Sequence, residues 1–321
     1  MSVSKILKEF FNKVWWKLYG YWERWYIKNE EEYKRTGIWR NKKTDRTFYV
    51  IRRRGDSAGL FSYVLIILEK LAYCDERNYV PVIDMQHTRN TYLNKMEVGF
   101  VNSWEYYFKQ PAGYGLKSIS KCKNVIFSDL HIKCLVGSKC FRDRAELLKW
   151  SDLYRKYIVL NEKTEEHIRT VRKQLFSKSD KVLGVLCRGT DYNNHPPKHP
   201  IQPEPNQVME DAQRVLTGGG YNKLFLVTED AEIYRLFQKK FGGKMVAVNQ
   251  IRYVGKEEIT TRSNVRKNDK YLQGLDYITA IYLLAGCKGI LAGYTNGALA
   301  AVLINAGAYE FSQIYSLGFY P

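Results

Sequence analysis

The sequence predicts an α/β fold built from two doubly wound units. Three observations predict it. Short β-prone runs alternate with longer helical runs from about residue 47 onward. Turns rich in Gly and polar residues separate them. A hydrophobic content of 45% over 321 residues is enough for two sizeable cores.

In chain order, the first 35 residues carry an apolar stripe through Val3, Ile6, Leu7, Phe10, Phe11, Val14, Trp15, Leu18, Trp22 and Trp25, spaced by helical intervals. Lys5, Lys8, Lys13, Lys17 and Arg24 occupy the other faces. Such a helix suits the headgroup layer of an anionic membrane, and equally a docking face on the domain behind it. Phe48 to Arg52 then reads as a strand, Gly55 to Gly59 as a loop, Leu60 to Cys74 as a buried helix and Tyr79 to Asp84 as the next strand. This βαβ opening favours a parallel sheet. Residues 86 to 140 are irregular, with one strand expected at Asn124 to Phe127, and helices follow at Arg142 to Tyr157 and Asn161 to Phe176.

A cleaner alternation starts at Lys181. It gives strand Val182 to Cys187, helix Glu204 to Leu216, strand Lys223 to Val227, helix Ala231 to Phe241 and strand Met245 to Val248. Beyond a polar loop come helix Leu272 to Ala285, strand Gly289 to Ala292 and helix Gly297 to Asn305. Two such units facing across a cleft form the GT-B-like architecture. The expected divisions are a basic amphipathic helix over 1–40, an N-terminal α/β domain over 41–165 and a C-terminal α/β domain over 166–321.

A formal charge of +18 calls for anionic partners: nucleic acid, an anionic membrane face or phosphorylated small molecules. No recognised nucleic-acid motif occurs, and the aromatic residues concentrate in the N-terminal helix and at scattered core positions, so no nucleic acid is expected. No apolar run is long enough to span a bilayer and no signal-peptide cleavage pattern opens the chain, which predicts a cytoplasmic protein, peripheral on the inner membrane face if the first helix binds there. Cys74, Cys122, Cys134, Cys140, Cys187 and Cys287 lack metal-ligand spacing and read as reduced core thiols.

Chemistry concentrates at strand ends. Val182 to Cys187 runs into Arg188, Gly189, Thr190 and Asp191, placing a cation, a turn, a hydroxyl and a carboxylate at the carboxyl edge where open α/β sheets bind ligands. An arginine there suits a diphosphate, because its planar fork bonds bidentately and keeps its proton. The bland counterpart is a loop held by an Arg188–Asp191 ion pair. The next strand ends in Thr228, Glu229 and Asp230, whose carboxylates suit ribose or sugar hydroxyls, although Asp230 also reads as a helix N-cap. At a third strand end, Gly293, Tyr294, Thr295, Asn296 and Gly297 lead into a helix whose amides attract phosphate. No D-x-D triplet stands at a strand end; Asp230 to Glu232 is only D-x-E. Metal-free chemistry is therefore expected, with arginine supplying the positive charge.

These residues resemble a known family. Leu183 to Asp191, LGVLCRGTD, looks like the arginine motif, roughly H-x-R-R-x-D, of the GDP-fucose-using fucosyltransferases: protein O-fucosyltransferases, α-1,6-fucosyltransferases including the rhizobial nodulation enzymes, and bacterial α-1,2-fucosyltransferases. The similarity continues through His199, Pro200 and Ile201, through Leu226 to Asp230 and through Gly274 to Asn296, with weaker support from Gly59 to Asp84. It implies a GT-B-like inverting glycosyltransferase of bacterial surface-polysaccharide assembly. The donor would be GDP-fucose, bound as a substrate with no separate cofactor. The charge and helix pattern of the N-terminus, with no signal peptide, suit a glycan or lipid-linked oligosaccharide acceptor, as in capsule or O-antigen assembly.

By the same resemblance Arg188 holds the donor diphosphate, while Glu229 and Asp230 stay candidates from their place at the next strand end. Asp276 reads guanine, and Thr295, Asn296 and Gly297 form the phosphate-binding turn. Leu186 stands where the family has its histidine and Gly189 where it has a second arginine, although the O-fucosyltransferase branch also lacks that arginine. A nucleotide other than GDP therefore stays open. The α-1,6 branch has a glutamate, regarded as the base, four residues before His-Pro-Ile, and here that position is His195. Histidine titrates near neutrality and can do such work. His195 joins Arg188 and Asp191 as the catalytic candidates, against a loop histidine positioned by Pro196 and Pro197; His199 reads as structural.

Overall fold

The computed structural model describes residues 31–34, 45–53, 58–130, 136–194, 196–255 and 265–321. Most of the N-terminal helix expected over residues 1–40 lies outside them, as do Cys134 and His195, and within the described part of that helix Tyr33–Lys34 is a strand because it pairs with Ile126 and Phe127.

Two sheets organise the chain. The first contains β1 (Tyr33–Lys34), β2 (Phe48–Arg52), β3 (Val80–Asp84) and β4 (Val125–Phe127), in the order β1-β4-β2-β3. β3 and β4 run parallel to β2, while the short β1 lies antiparallel on β4. The crossover from β2 to β3 is α1 (Leu60–Glu76), apolar around most of its circumference and buried from Leu60 to Cys74 with few gaps. Short helical turns at Lys95–Glu97 and Ser103–Tyr106 occupy the irregular stretch before β4.

Two helices, α2 (Arg144–Tyr157) and α3 (Glu162–Leu175), lead to the second sheet. It comprises β5 (Val182–Leu186), β6 (Lys223–Val227), β7 (Met245–Val246), β8 (Gly289–Gly293) and β9 (Phe311–Tyr315). All pairs are parallel and the order is β7-β6-β5-β8-β9. The strand order therefore reverses direction between β5 and β8, and a crevice opens at the carboxyl ends of these two strands. The connecting helices are α4 (Pro205–Gly218), α5 (Ala231–Phe241), α6 (Asp269–Ala285) and α7 (Asn296–Asn305).

Alternation along β5 sorts the core. Leu183, Val185 and Cys187 pack with α4 and α5, whereas Val182 and Leu186 face α6 and α7. Gly184 lets α6 press onto the strand: a Cβ there would lie 2.5 Å from Leu284 Cδ1 and 3.2 Å from Cys287 Sγ. The described cysteines, Cys74, Cys122, Cys140, Cys187 and Cys287, are free and buried, as the sequence predicts.

The units share one apolar core, because α7 packs against α1 and α2. The Phe61 ring in the first turn of α1 meets Tyr277 of α6 edge-on at 5.3 Å, and the Tyr277 hydroxyl closes on Gly297 at the start of α7. Tyr107 donates to the Tyr271 carbonyl at 2.8 Å. α1 begins just past the end of β2 and α7 just past that of β8, so these contacts bring the carboxyl edges of both sheets to one cleft.

Several elements differ from expectation: β1 is a strand within the expected 1–40 helix, and β7 ends at Val246 instead of Val248. α6 starts at Asp269 rather than Leu272, because the buried Asp269 carboxylate gathers the Val265 amide, Arg266 and Gln273 and winds an extra turn. β9 was not foreseen; its alternating FSQIY finds a partner only once β8 is placed beside it.

β9 is fastened by Asp211 of α4, which is 5% exposed and accepts from Tyr315 Oη at 2.5 Å, Gln313 Nε2 at 3.1 Å and Arg214. Burial alone would raise the Asp211 carboxyl, but the bonds from Tyr315, Arg214 and Gln313 hold it below the ordinary carboxylate value. A depressed folded-state pKa means stability present at neutral pH and lost as pH falls through the carboxylate range. Asp211→Asn is expected to cost about 1–3 kcal/mol at pH 7. The gap from wild type should narrow in denaturant melts below about pH 4.

Candidate functional site

Beyond β5 the chain turns at Arg188, Gly189 and Thr190, and two carboxylates from the end of β6 hold that turn. Glu229 Oε1 lies 3.1 Å from Arg188 Nε and accepts the Gly189 amide at 3.0 Å and the Thr190 hydroxyl at 3.1 Å. Asp230 Oδ2 accepts the Thr190 amide at 3.1 Å, while its Oδ1 caps α5 through the amides of Glu232 and Ile233 at 2.7 and 3.0 Å. Thr190 is fully buried with φ of +44°, an unfavourable backbone for a β-branched residue, held there by these bonds. Arg188 and Glu229 retain only 18% and 11% side-chain exposure, so the guanidinium is fixed at the rim of the crevice. Its Cζ also sits 5.0 Å from the centre of the Tyr192 ring, which packs against His199. Burial pushes the adjacent Cys187 thiol up, so it is no nucleophile at neutral pH.

Glu229, 41 positions along the chain from Arg188, is the described carboxylate that meets it. Of the other catalytic candidates, the Asp191 side chain and all of His195 lie outside the described residues. His199 belongs to a loop laced to the C-terminal tail: Tyr320 N donates to its carbonyl, and Ile201 N donates to Gly318 O.

Across the crevice Thr295 caps α7, its hydroxyl accepting the Ala298 amide at 3.1 Å, with Asn296 and Gly297 opening the helix. Gln202 donates to the Tyr294 carbonyl at 3.1 Å and ties the loop after β5 to this turn. The ends of β5, β6 and β8 thus meet at one place, as the sequence predicts.

Asp276 stands apart from the Arg188 cluster. On α6 it accepts from Arg266 at 2.5 Å, and Arg266 also pairs with Asp269 at 3.1 Å. Burial raises the Asp276 carboxyl against the opposing pull of Arg266. A strap through Tyr253 links the two clusters: its amide donates to the Glu229 carbonyl at 2.8 Å, its carbonyl accepts from Ala231 N, and its hydroxyl lies 3.4 Å from Gln273 Nε2. Next to it, Arg252 lies 3.9 Å from the Tyr234 ring centre, and its buried Nε has no partner among the described residues. Arg252, Tyr253, Arg266 and Gln202 escape sequence reasoning because they sit in polar loops without periodic pattern. Arg188, Arg252 and Arg266 bring three guanidiniums to this edge, interleaved with the carboxylates of Glu229, Asp230, Asp269 and Asp276.

The edge of the first sheet adds its own polar group. Asp84, the last residue of β3, is 2% exposed and lies 2.8 Å from His87 Nδ1, and Arg53, at the end of β2, stacks 4.1 Å from the Tyr63 ring centre.

No protein-family model and no curated protein matches the chain. Solved structures do. The α-1,6-fucosyltransferase NodZ co-crystallised with GDP superposes with a TM-score of 0.51 at 17% identity, covering 81% of this chain and 92% of that one. The fucosyltransferase NodZ from Bradyrhizobium gives 0.50 at 16% identity over 81% and 93%. POFUT1 in its apo form gives 0.51 at 10% identity over 86% and 99%. The chain has the fold of these fucosyltransferases. It is GT-B-like, with two Rossmann-like units facing across a cleft, as the sequence predicts. Among the described residues no group of three or more His, Cys, Asp or Glu side chains is arranged to hold a metal ion. No described helix is long and apolar enough to cross a membrane.

Proposed function

We propose that this chain is an inverting glycosyltransferase that moves L-fucose from GDP-fucose to a hydroxyl of a glycan or lipid-linked oligosaccharide in surface-polysaccharide assembly. The observation that carries this reading is Arg188, fixed by Glu229 at the crevice between β5 and β8. It is supported by a fold shared with an α-1,6-fucosyltransferase solved with GDP and with GDP-fucose.

The acceptor oxygen attacks the anomeric carbon as a base takes its proton, and the bond to the diphosphate breaks with its electron pair on the leaving group. Negative charge grows on that group, so a fixed guanidinium stabilises the transition state more than the ground state. In this scheme Arg188 holds the diphosphate, and Glu229 and Asp230 keep its turn in place. The turn of Thr295, Asn296 and Gly297 offers amides to phosphate, and Asp276, oriented by Arg266, faces the base. Asp191 and His195 are assigned by this reading to chemistry at the reacting sugar. Residues 41–165 form the acceptor-side domain and 166–321 the donor domain. The basic, Trp-rich segment that precedes β1 binds the inner face of an anionic membrane in this reading, where a lipid-linked acceptor would lie.

A thermal-shift screen against GDP, UDP, CDP, dTDP and their sugars tests the donor. GDP and GDP-fucose should raise Tm most; preference for UDP would overturn the fucose assignment. Arginine takes the role a divalent ion plays elsewhere, so turnover should persist in EDTA; loss that magnesium or manganese restores would refute it.

A further inference from the structure

We propose that His87 is the general base, held by Asp84 beneath it, so that the first sheet's edge removes the acceptor proton while the second sheet's edge stabilises the leaving group. This rests on the fucosyl-transfer reading above.

The pair is built like a catalytic dyad. Asp84 Oδ1 accepts the backbone amides of Gln86 at 3.0 Å and His87 at 3.1 Å, and Oδ2 lies 2.8 Å from His87 Nδ1. On the far side of the ring, Gln86 Nε2 lies 3.1 Å from His87 Nε2 and donates to the Gly99 carbonyl at 2.9 Å. The Gly99 carbonyl fixes the Gln86 amide with its nitrogen toward the ring. An amide nitrogen only donates, so His87 Nε2 accepts and the ring proton sits on Nδ1 against Asp84. That tautomer presents a basic nitrogen, and the buried carboxylate stabilises the imidazolium formed when Nε2 takes a proton. The two side chains differ sharply in exposure, 27% for His87 and 1% for Asp84, so the carboxylate is buried beneath a ring that solvent reaches.

Hydrogen bonds tie the loop that carries this ring to both units. Thr88 donates to the Arg53 carbonyl at the end of β2, Thr91 donates to the Ala58 carbonyl just before α1, and the Thr91 carbonyl accepts from Lys270 in the first turn of α6. The loop carrying His87 therefore spans from one unit to the other. Gly99, tied to Gln86, is followed by Phe100, an apolar residue 59% exposed.

In the step, the acceptor hydroxyl displaces the Gln86 amide from Nε2 and passes its proton there. Its oxygen bonds the anomeric carbon, and the carbon–oxygen bond to the diphosphate breaks with the electron pair leaving on GDP. The imidazolium then returns the proton to solvent.

GDP release from GDP-fucose with water as acceptor tests this without knowledge of the natural acceptor. His87→Ala is expected to lower kcat about 10²–10⁴-fold, with part of the loss restored by added imidazole and the GDP thermal shift unchanged. His87→Gln, closer in shape, should be equally inactive and covers a failure of the alanine variant to fold. Asp84→Asn keeps an oxygen for the two amides but turns a donor toward Nδ1, moving the ring proton to Nε2; kcat should fall while KM for the donor holds. A His87→Gln protein within about threefold of an active wild type overturns the His87 assignment alone. A wild type that binds and cleaves no GDP-fucose overturns the fucosyl-transfer reading and the base with it.

Discussion

Arg188→Ala is expected to lower turnover of GDP-fucose by about 10²–10³-fold, the usual cost of removing one preorganised charge-stabilising group from a transition state. The effect should fall mainly on kcat, since charge on the diphosphate grows as the sugar leaves. Glu229 Oε1 lies 3.1 Å from Arg188 Nε as an ion pair rather than a hydrogen bond, so charge attraction orients the guanidinium at the strand end. Arg188→Lys keeps the charge but not the planar fork and should lie between the two. The alanine variant should still fold, because Glu229 retains the Gly189 amide and the Thr190 hydroxyl. Far-ultraviolet circular dichroism and a Tm within a few degrees of wild type would show this. Donor affinity measured by calorimetry separates two classes of protein. An enzyme that uses Arg188 loses kcat and some GDP affinity, whereas an inactive sugar-nucleotide binder keeps its affinity almost unchanged, and that outcome would sink the catalytic role.

Much of this site is legible in the sequence, because an α/β fold places its ligand by local grammar. A buried apolar run that stops at a cation, as at Leu186 to Arg188, marks a strand end, and strand ends of one parallel sheet share an edge. β6, α5 and the N-cap at Asp230 follow from local pattern and match the structure residue for residue. What escapes is pairing at a distance. Nothing near Arg188 in the sequence says that Glu229 will clamp it, and Asp276 gives no sign of Arg266 ten positions before it, across a turn of the chain. β1, two residues long, and β9 are strands only because a partner lies beside them. The Asp84–His87 pair is local enough to be read, a carboxylate at a strand end and an imidazole three residues on, yet His87 lies in the stretch of 86 to 140 where no periodicity draws attention.

Gly189 stands where the motif that Leu183 to Asp191 resembles has a second arginine, and substituting it is expected to be the most damaging change at the turn. A Cβ at this position would lie 2.8 Å from both Cβ and Cγ of Asp230 and closer still to Oδ2. Asp230 cannot move aside cheaply, since it is 5% exposed, caps α5 and holds the Thr190 amide. Gly189→Ala is therefore expected to destabilise by roughly 2–4 kcal/mol, combining overpacking with a disturbed cap. Gly189→Arg, which would recreate the arginine pair, should cost at least as much and abolish turnover, because a displacement of about 1 Å at a positioning turn costs on the order of 10²-fold. A double-mutant cycle isolates the cause. Asp230→Gly removes the clashing atoms, so Gly189→Ala should cost at least about 1 kcal/mol less in that background than in wild type, measured by denaturant unfolding. Equal costs in the two backgrounds would mean that the glycine is needed for another reason and that Asp230 does not exclude the second arginine.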